Sequence, residues 1–93
     1  MILKVFTVYD DKAEAYTAPF FVPTAGMAVR TFRDCANSES HHFGQNPADY
    51  TLFYIGEFDD ATAEFIAAET NKSYGTALSH QAHEEVPDKR FGT

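Results

Sequence analysis

The chain has one cysteine, Cys35, no tryptophan, and half as many cations as anions. Each shortage excludes something. A lone cysteine cannot close an internal disulfide, which suits a reducing compartment. Seven Lys and Arg against fourteen Asp and Glu leave a formal charge of −7. Counterion release, which drives tight non-specific binding to nucleic acid, therefore has few groups to draw on. No apolar run is long enough to span a membrane, so no membrane partner is expected. The opening MILKVFTVYDDK sets a lysine inside a short apolar stretch with acids behind it. That is unlike a signal peptide, and a cytosolic protein is the expectation. There is no Gly-rich phosphate loop and no nucleophile elbow.

What is present suits one small globular domain. Apolar residues make up 44% of the 93 and aromatics 15%, from nine Phe and five Tyr. That is bulk enough for one modest core. The charge is unevenly placed. Residues 1–69 hold four cations (Lys4, Lys12, Arg30, Arg33) against eleven acids, while residues 70–93 balance at three and three. The acidic part is the part with the apolar residues, and no basic domain hides behind an acidic tail.

The pattern along the chain predicts a strand over 2–9, rich in β-branched and aromatic residues and ended by Asp10-Asp11. A polar connection over 10–17 and a short extended piece over 18–23, punctuated by Pro19 and Pro23, follow. Thr24 can cap a helix over 25–36, in which Ala25, Ala28, Val29, Phe32 and Ala36 fall on one stripe and Arg30, Arg33 and Asp34 opposite. Residues 37–48 read as loop. Strands over 50–58 and 63–68 flank Asp59-Asp60-Ala61-Thr62, a hairpin connection. From Thr70 the apolar residues lose any period, and the remainder reads as a polar tail, mobile or docked. The expected fold is α+β: a small, mainly antiparallel sheet, one helix on one face, a domain over 1–69 and a C-terminal tail over 70–93. In the first strand Ile2, Phe6 and Val8 oppose Leu3, Val5 and Tyr9; in the third Leu52, Tyr54 and Phe58 oppose Phe53 and Ile55. Both faces are apolar and one helix covers one face. A homo-oligomer is therefore expected, unless the tail or a flat apolar ligand covers the other.

Catalytic and metal readings are weak. His80, His83 and Glu84 would lie close together on a helix, but a metal needs a fuller ligand set and His41-His42 belong to another loop. Neither metal nor cofactor is expected. Cys35 reads as a buried structural thiol and Asp59-Asp60 as turn chemistry. No enzyme is expected. Phe6, Tyr9, Phe53 and Tyr54, with Lys4 nearby, resemble the stacking platforms that hold single-stranded bases. With Lys12, Arg30 and Arg33 as phosphate contacts they form the candidate nucleic-acid site, although Asp34 can neutralise Arg30 one turn on. The acidic surroundings favour core or subunit interface for the same aromatics.

Several stretches in order carry a family resemblance: Asp11-Lys12-Ala13-Glu14-Ala15-Tyr16, Pro19-Phe20-Phe21, Gly26-Met27-Ala28-Val29-Arg30-Thr31-Phe32, and Asp49 through Asp59 (DYTLFYIGEFD). Over residues 2–69 the chain resembles the short nonstructural protein of gokushoviruses, single-stranded-DNA phages within the microviruses. The resemblance implies a protein of the infected bacterium's cytoplasm, acting in viral single-stranded DNA synthesis and its coupling to packaging. It supplies no defined catalytic or binding residues. Two routes stay open: direct binding of single-stranded DNA, or an acidic module that regulates a phage or host replication protein without touching DNA.

Overall fold

The computed structural model describes residues 1–82. Its sheet is antiparallel throughout, as expected for the α+β reading. Strand β1 (Ile2–Asp10) lies inside it. On one side β1 pairs with β4 (Tyr50–Asp59), which pairs in turn with the edge strand β5 (Glu64–Thr76). On the other side two short strands, β2 (Ala15–Tyr16) and β3 (Phe20–Val22), share the edge of β1. Thr17 joins them: its N–H donates to the Val8 carbonyl and its hydroxyl accepts from the Val8 N–H.

The two hairpin turns are built alike. Asp10 and Asp59 each accept, through a side-chain oxygen, the N–H two residues on (Lys12 and Ala61). Each also accepts, through its carbonyl, the N–H four residues on (Glu14 and Ala63, at 2.8 and 2.7 Å). The fourth loop residue must then turn left-handed, and Glu14 and Ala63 have φ of 57° and 65°. The expected turn role of Asp59-Asp60 is what the geometry shows. The Asp60 carboxylate also holds the Met1 ammonium at 2.8 Å.

Helix α1 spans Ala25–Ala36, the span predicted, with the Thr24 hydroxyl accepting the Met27 N–H. Its stripe packs on one face of the sheet. Ala28, Phe32 and Ala36 bury against Phe6, Val8 and Leu52, and Phe20, Val22, Tyr50, Tyr54 and Tyr74 complete the shell. Between α1 and β4, where loop was expected, lie a short helix α2 (His42–Gln45) and a 3-10 turn (Pro47–Asp49). Phe43 from this connection packs on Phe32, ring centroids 5.4 Å apart.

The boundary expected at residue 69 falls inside β5, which runs on to Thr76. The strand bulges twice, between its pairings with Gly56 and Tyr54 and again near Gly75, and so keeps its place beside β4 although its polar sequence shows no strand alternation. Gly75, at φ 99°, allows the second bend. Beyond it the short helix α3 (Ala77–His80) docks. Ala77 is fully buried, His80 lies edge-on to Phe32 at 5.5 Å, and the Gln81 amide donates to the Ala36 carbonyl. Asn37 closes the clasp: its amide donates to the Arg33 and His80 carbonyls and its oxygen accepts the Ala82 N–H. The described residues form an elongated body, 52 × 30 × 24 Å, because β1, β4 and β5 extend beyond the helix.

Phe32→Ala is expected to lower the free energy of unfolding by about 3–5 kcal/mol, whereas Arg33→Ala, on the exposed side, shifts it by under about 0.5 kcal/mol. Urea titrations check both, and equal midpoints for the two variants would contradict the packing. Ala63→Gly, which relieves a left-handed alanine, should raise stability by up to about 1 kcal/mol, the gain being offset in part by glycine's freer unfolded chain.

Candidate interaction face

Alternation along β1, and along β4 on either side of a bulge at Ile55, sorts their side chains between two unlike faces. The bulge reverses the parity, so Phe58 lies with Phe53 and not, as unbroken alternation predicts, with Leu52 and Tyr54. Under α1 lie Lys4, Phe6, Val8 and Asp10 with Leu52, Tyr54, Glu57 and Asp59. The face away from the helix takes Leu3, Val5, Thr7 and Tyr9 with Phe53 and Phe58, joined by Tyr16 and Phe21 from the edge strands and Phe65 from β5. Every charged residue of β1 and β4 is on the helix side. The open face is uncharged along both strands.

Aromatic rings organise that face into two groups. Tyr16 sits 4.8 Å from Tyr9 and 5.9 Å from Phe53, and Phe21 stands edge-on to Phe58 at 5.3 Å. Between the groups is a shallow cavity of about 360 Å³ lined by Thr7, Tyr16, Thr17, Pro19, Ile55, Phe65 and Asn71. Two backbone features shape it. Ile55 is the extra residue of a bulge in β4, because Val5 pairs with Gly56 and Phe6 with Tyr54. Gly56 in turn lets the Phe65 ring lie across β4; a Cβ there would meet that ring at 3.0 Å and the Ile66 carbonyl oxygen at 2.5 Å. The Thr7 hydroxyl is buried in the floor and donates to the Thr17 carbonyl at 2.7 Å.

The residues expected to bind nucleic acid do not gather here. Phe6 is wholly buried and cannot stack on a base, which corrects its place in the candidate site. Tyr54 is on the same side, edge-on to Phe6 at 5.5 Å. Lys4 donates to the Glu57 carboxylate at 2.8 Å, and this hydrogen bond, with the attraction of the charge, holds its ammonium above the usual lysine range. Arg30 and Arg33 are exposed on α1, and Arg30 makes no ion pair with Asp34 among the described residues. Lys12 is exposed in the β1–β2 turn. Only Tyr9 and Phe53 reach the open face. Tyr16, Phe21, Ile55 and Phe65 were not among the candidates. The hairpin arithmetic was the available signal: Tyr9 and Tyr16 flank one Asp-Asp turn, Phe58 and Phe65 the other.

The polar groups singled out for chemistry have structural partners. The His80 ring bonds the Tyr74 carbonyl at 2.7 Å, and the His41 ring accepts the Phe43 N–H. His83 and Glu84 lie outside the described residues. No group of three or more metal-ligating side chains occurs among residues 1–82. Cys35 is half-buried rather than fully buried, and burial, with the Asp34 charge behind it, pushes its thiol up. A raised pKa leaves less thiolate at a given pH. Alkylation of Cys35 by iodoacetamide at mildly alkaline pH should accordingly run slower in the folded chain than in urea; equal rates would contradict the placement.

A family model described as Phage ORF5 protein matches residues 3–80. No curated protein and no solved structure matches the chain. Among the described residues no helix is long and apolar enough to cross a membrane.

Proposed function

The chain belongs to the Phage ORF5 protein family, and from that premise we propose that it is a nonenzymatic, nonstructural phage factor acting in viral single-stranded DNA synthesis and its coupling to packaging. Its route is contact with a phage or host replication protein through its acidic surface, in the cytoplasm of the infected bacterium. One observation carries the choice of route: among the described residues every lysine and arginine but Lys12, which stands alone in the β1–β2 turn, is on the side of the sheet opposite the exposed rings. Arg30 and Arg33 project from α1, and Lys4 is tied to Glu57 beneath it. Lys72 stands over the Tyr74 ring, which packs on Phe6. A strand whose bases stacked on Tyr9, Tyr16 and Phe53 would find no row of ammonium or guanidinium groups along its phosphates. The nonenzymatic reading is supported by the structural work already assigned to Asp10, Asp59, His41 and His80.

A second reading, direct binding of single-stranded DNA, is favoured by the Tyr9–Tyr16–Phe53 cluster itself, since stacking tolerates any base. Anisotropy of a labelled oligonucleotide over a salt series separates the routes. The protein-contact route expects no saturable binding even at low salt. Binding with a shallow slope, near the single-strand value of about −0.7 per phosphate contacted, and weakened by Phe53→Ala, would replace it. The role itself is tested in infected cells with a stop codon in this reading frame. The expected result is a fall in single-stranded relative to double-stranded viral DNA, restored by the intact gene. An unchanged ratio would end the proposal.

A further inference from the structure

We propose that the open face of the sheet is closed by the same face of a second copy of this chain, with Phe21 of each protomer seated in the other's cavity between Tyr16 and Phe65. The inference goes beyond the proposed role and holds whichever replication protein the dimer meets.

Charge is the first argument. Each copy carries −7, so two copies repel at long range, and a contact between them holds only if its centre sets no like charges against each other. The sorting of Lys4, Asp10, Glu57 and Asp59 to the helix side provides such a centre. A strongly basic partner would find no carboxylate on β1 or β4 to meet there, and a nucleic acid no cation. A surface without charge along its two central strands β1 and β4, and rich in aromatic rings, has the composition of a subunit-interface core.

Shape is the second. A two-fold contact must carry both halves of each fit on one surface. This face carries a projecting ring, Phe21, 47% exposed and braced by Phe58, and a cavity of about 360 Å³ beside it. A phenyl ring and part of its strand fit such a volume. Two sheets stacked this way sit roughly 10 Å apart, the ordinary spacing of sandwiches. An outline of 52 × 30 Å leaves room for the roughly 800 Å² per partner of a standard interface.

Sedimentation equilibrium of the full chain at micromolar concentration gives the test. The expected mass is twice the chain's 10.4 kDa. Phe21→Glu on β3 and Tyr16→Glu on β2 are independent probes of the ring and of the cavity wall. Each should raise the dimer dissociation constant by about tenfold or more while leaving the far-ultraviolet circular dichroism unchanged. Arg30→Glu on the helix side should leave it unchanged. A monomeric wild-type chain overturns the proposal, as does a dimer that survives both folded variants. Were either variant to misfold, cross-linking decides: in a Cys35→Ser chain, Phe21→Cys and Asn71→Cys should oxidise together to a disulfide-linked dimer, and persistence of monomer counts against the contact.

Discussion

Phe32 is where five separate pieces of chain meet. Its ring is carried by α1 and lies against the sheet residues Phe6, Val8 and Leu52. Phe43 reaches it from the connection before β4, and His80 from the segment after β5. None of these pieces buries much by itself. The α2 connection and α3 are four residues each, too short to persist as free helices, and so depend on this contact for their place. The Asn37 and Gln81 bonds then tie the end of α1 to residues 80–82. These bonds hold the clasp in register, while burial of the ring supplies most of the driving force.

Because α1 commits its whole apolar stripe to one side, the character of the other side is decided by strand parity and by the bulge at Ile55, which reverses that parity along β4. β1 is buried through Val5, Phe6, Thr7 and Val8 in succession, so both of its faces are covered in the middle. Phe6 and Val8 are covered by the helix. Val5 and Thr7 are covered from the other direction by the chain's own edge strands and by Phe65. That second cover is thin, and Tyr16, Phe21 and Phe65 remain about half exposed. The bulge at Ile55 and the bare backbone of Gly56 therefore matter more than their size suggests. They set where the Phe65 ring lies, and with it the depth of the cavity.

Much of this was legible in the residues, and the misses have physical causes. Helix α1 could be read to the residue because Thr24 marks its start and five apolar positions hold one stripe. The strand over Thr70–Thr76 could not, since TNKSYGT at a twice-bulged sheet edge has no alternation to read. The α2 connection holds Gly44 and Pro47, both poor helix signals, and forms because Phe43 finds Phe32 and Tyr50. For the candidate site, parity already separated Phe6 from Tyr9 and Phe53 from Tyr54, so a site drawing on all four had to straddle the sheet. What parity could not say was which face the helix would take. Nor could it show that Lys4 would stand opposite Glu57, because that depends on strand register.

The sheet's overhang also has a hydrodynamic consequence. The radius of gyration, 15.3 Å, exceeds the about 12 Å of a compact chain of this size. A body of that form meets more friction than its mass warrants and rotates faster about its long axis than across it. Retention on a sizing column would exaggerate the mass of one copy. A fluorophore on the distal β4–β5 turn and one on α1 would report different depolarisation times from the same rigid molecule.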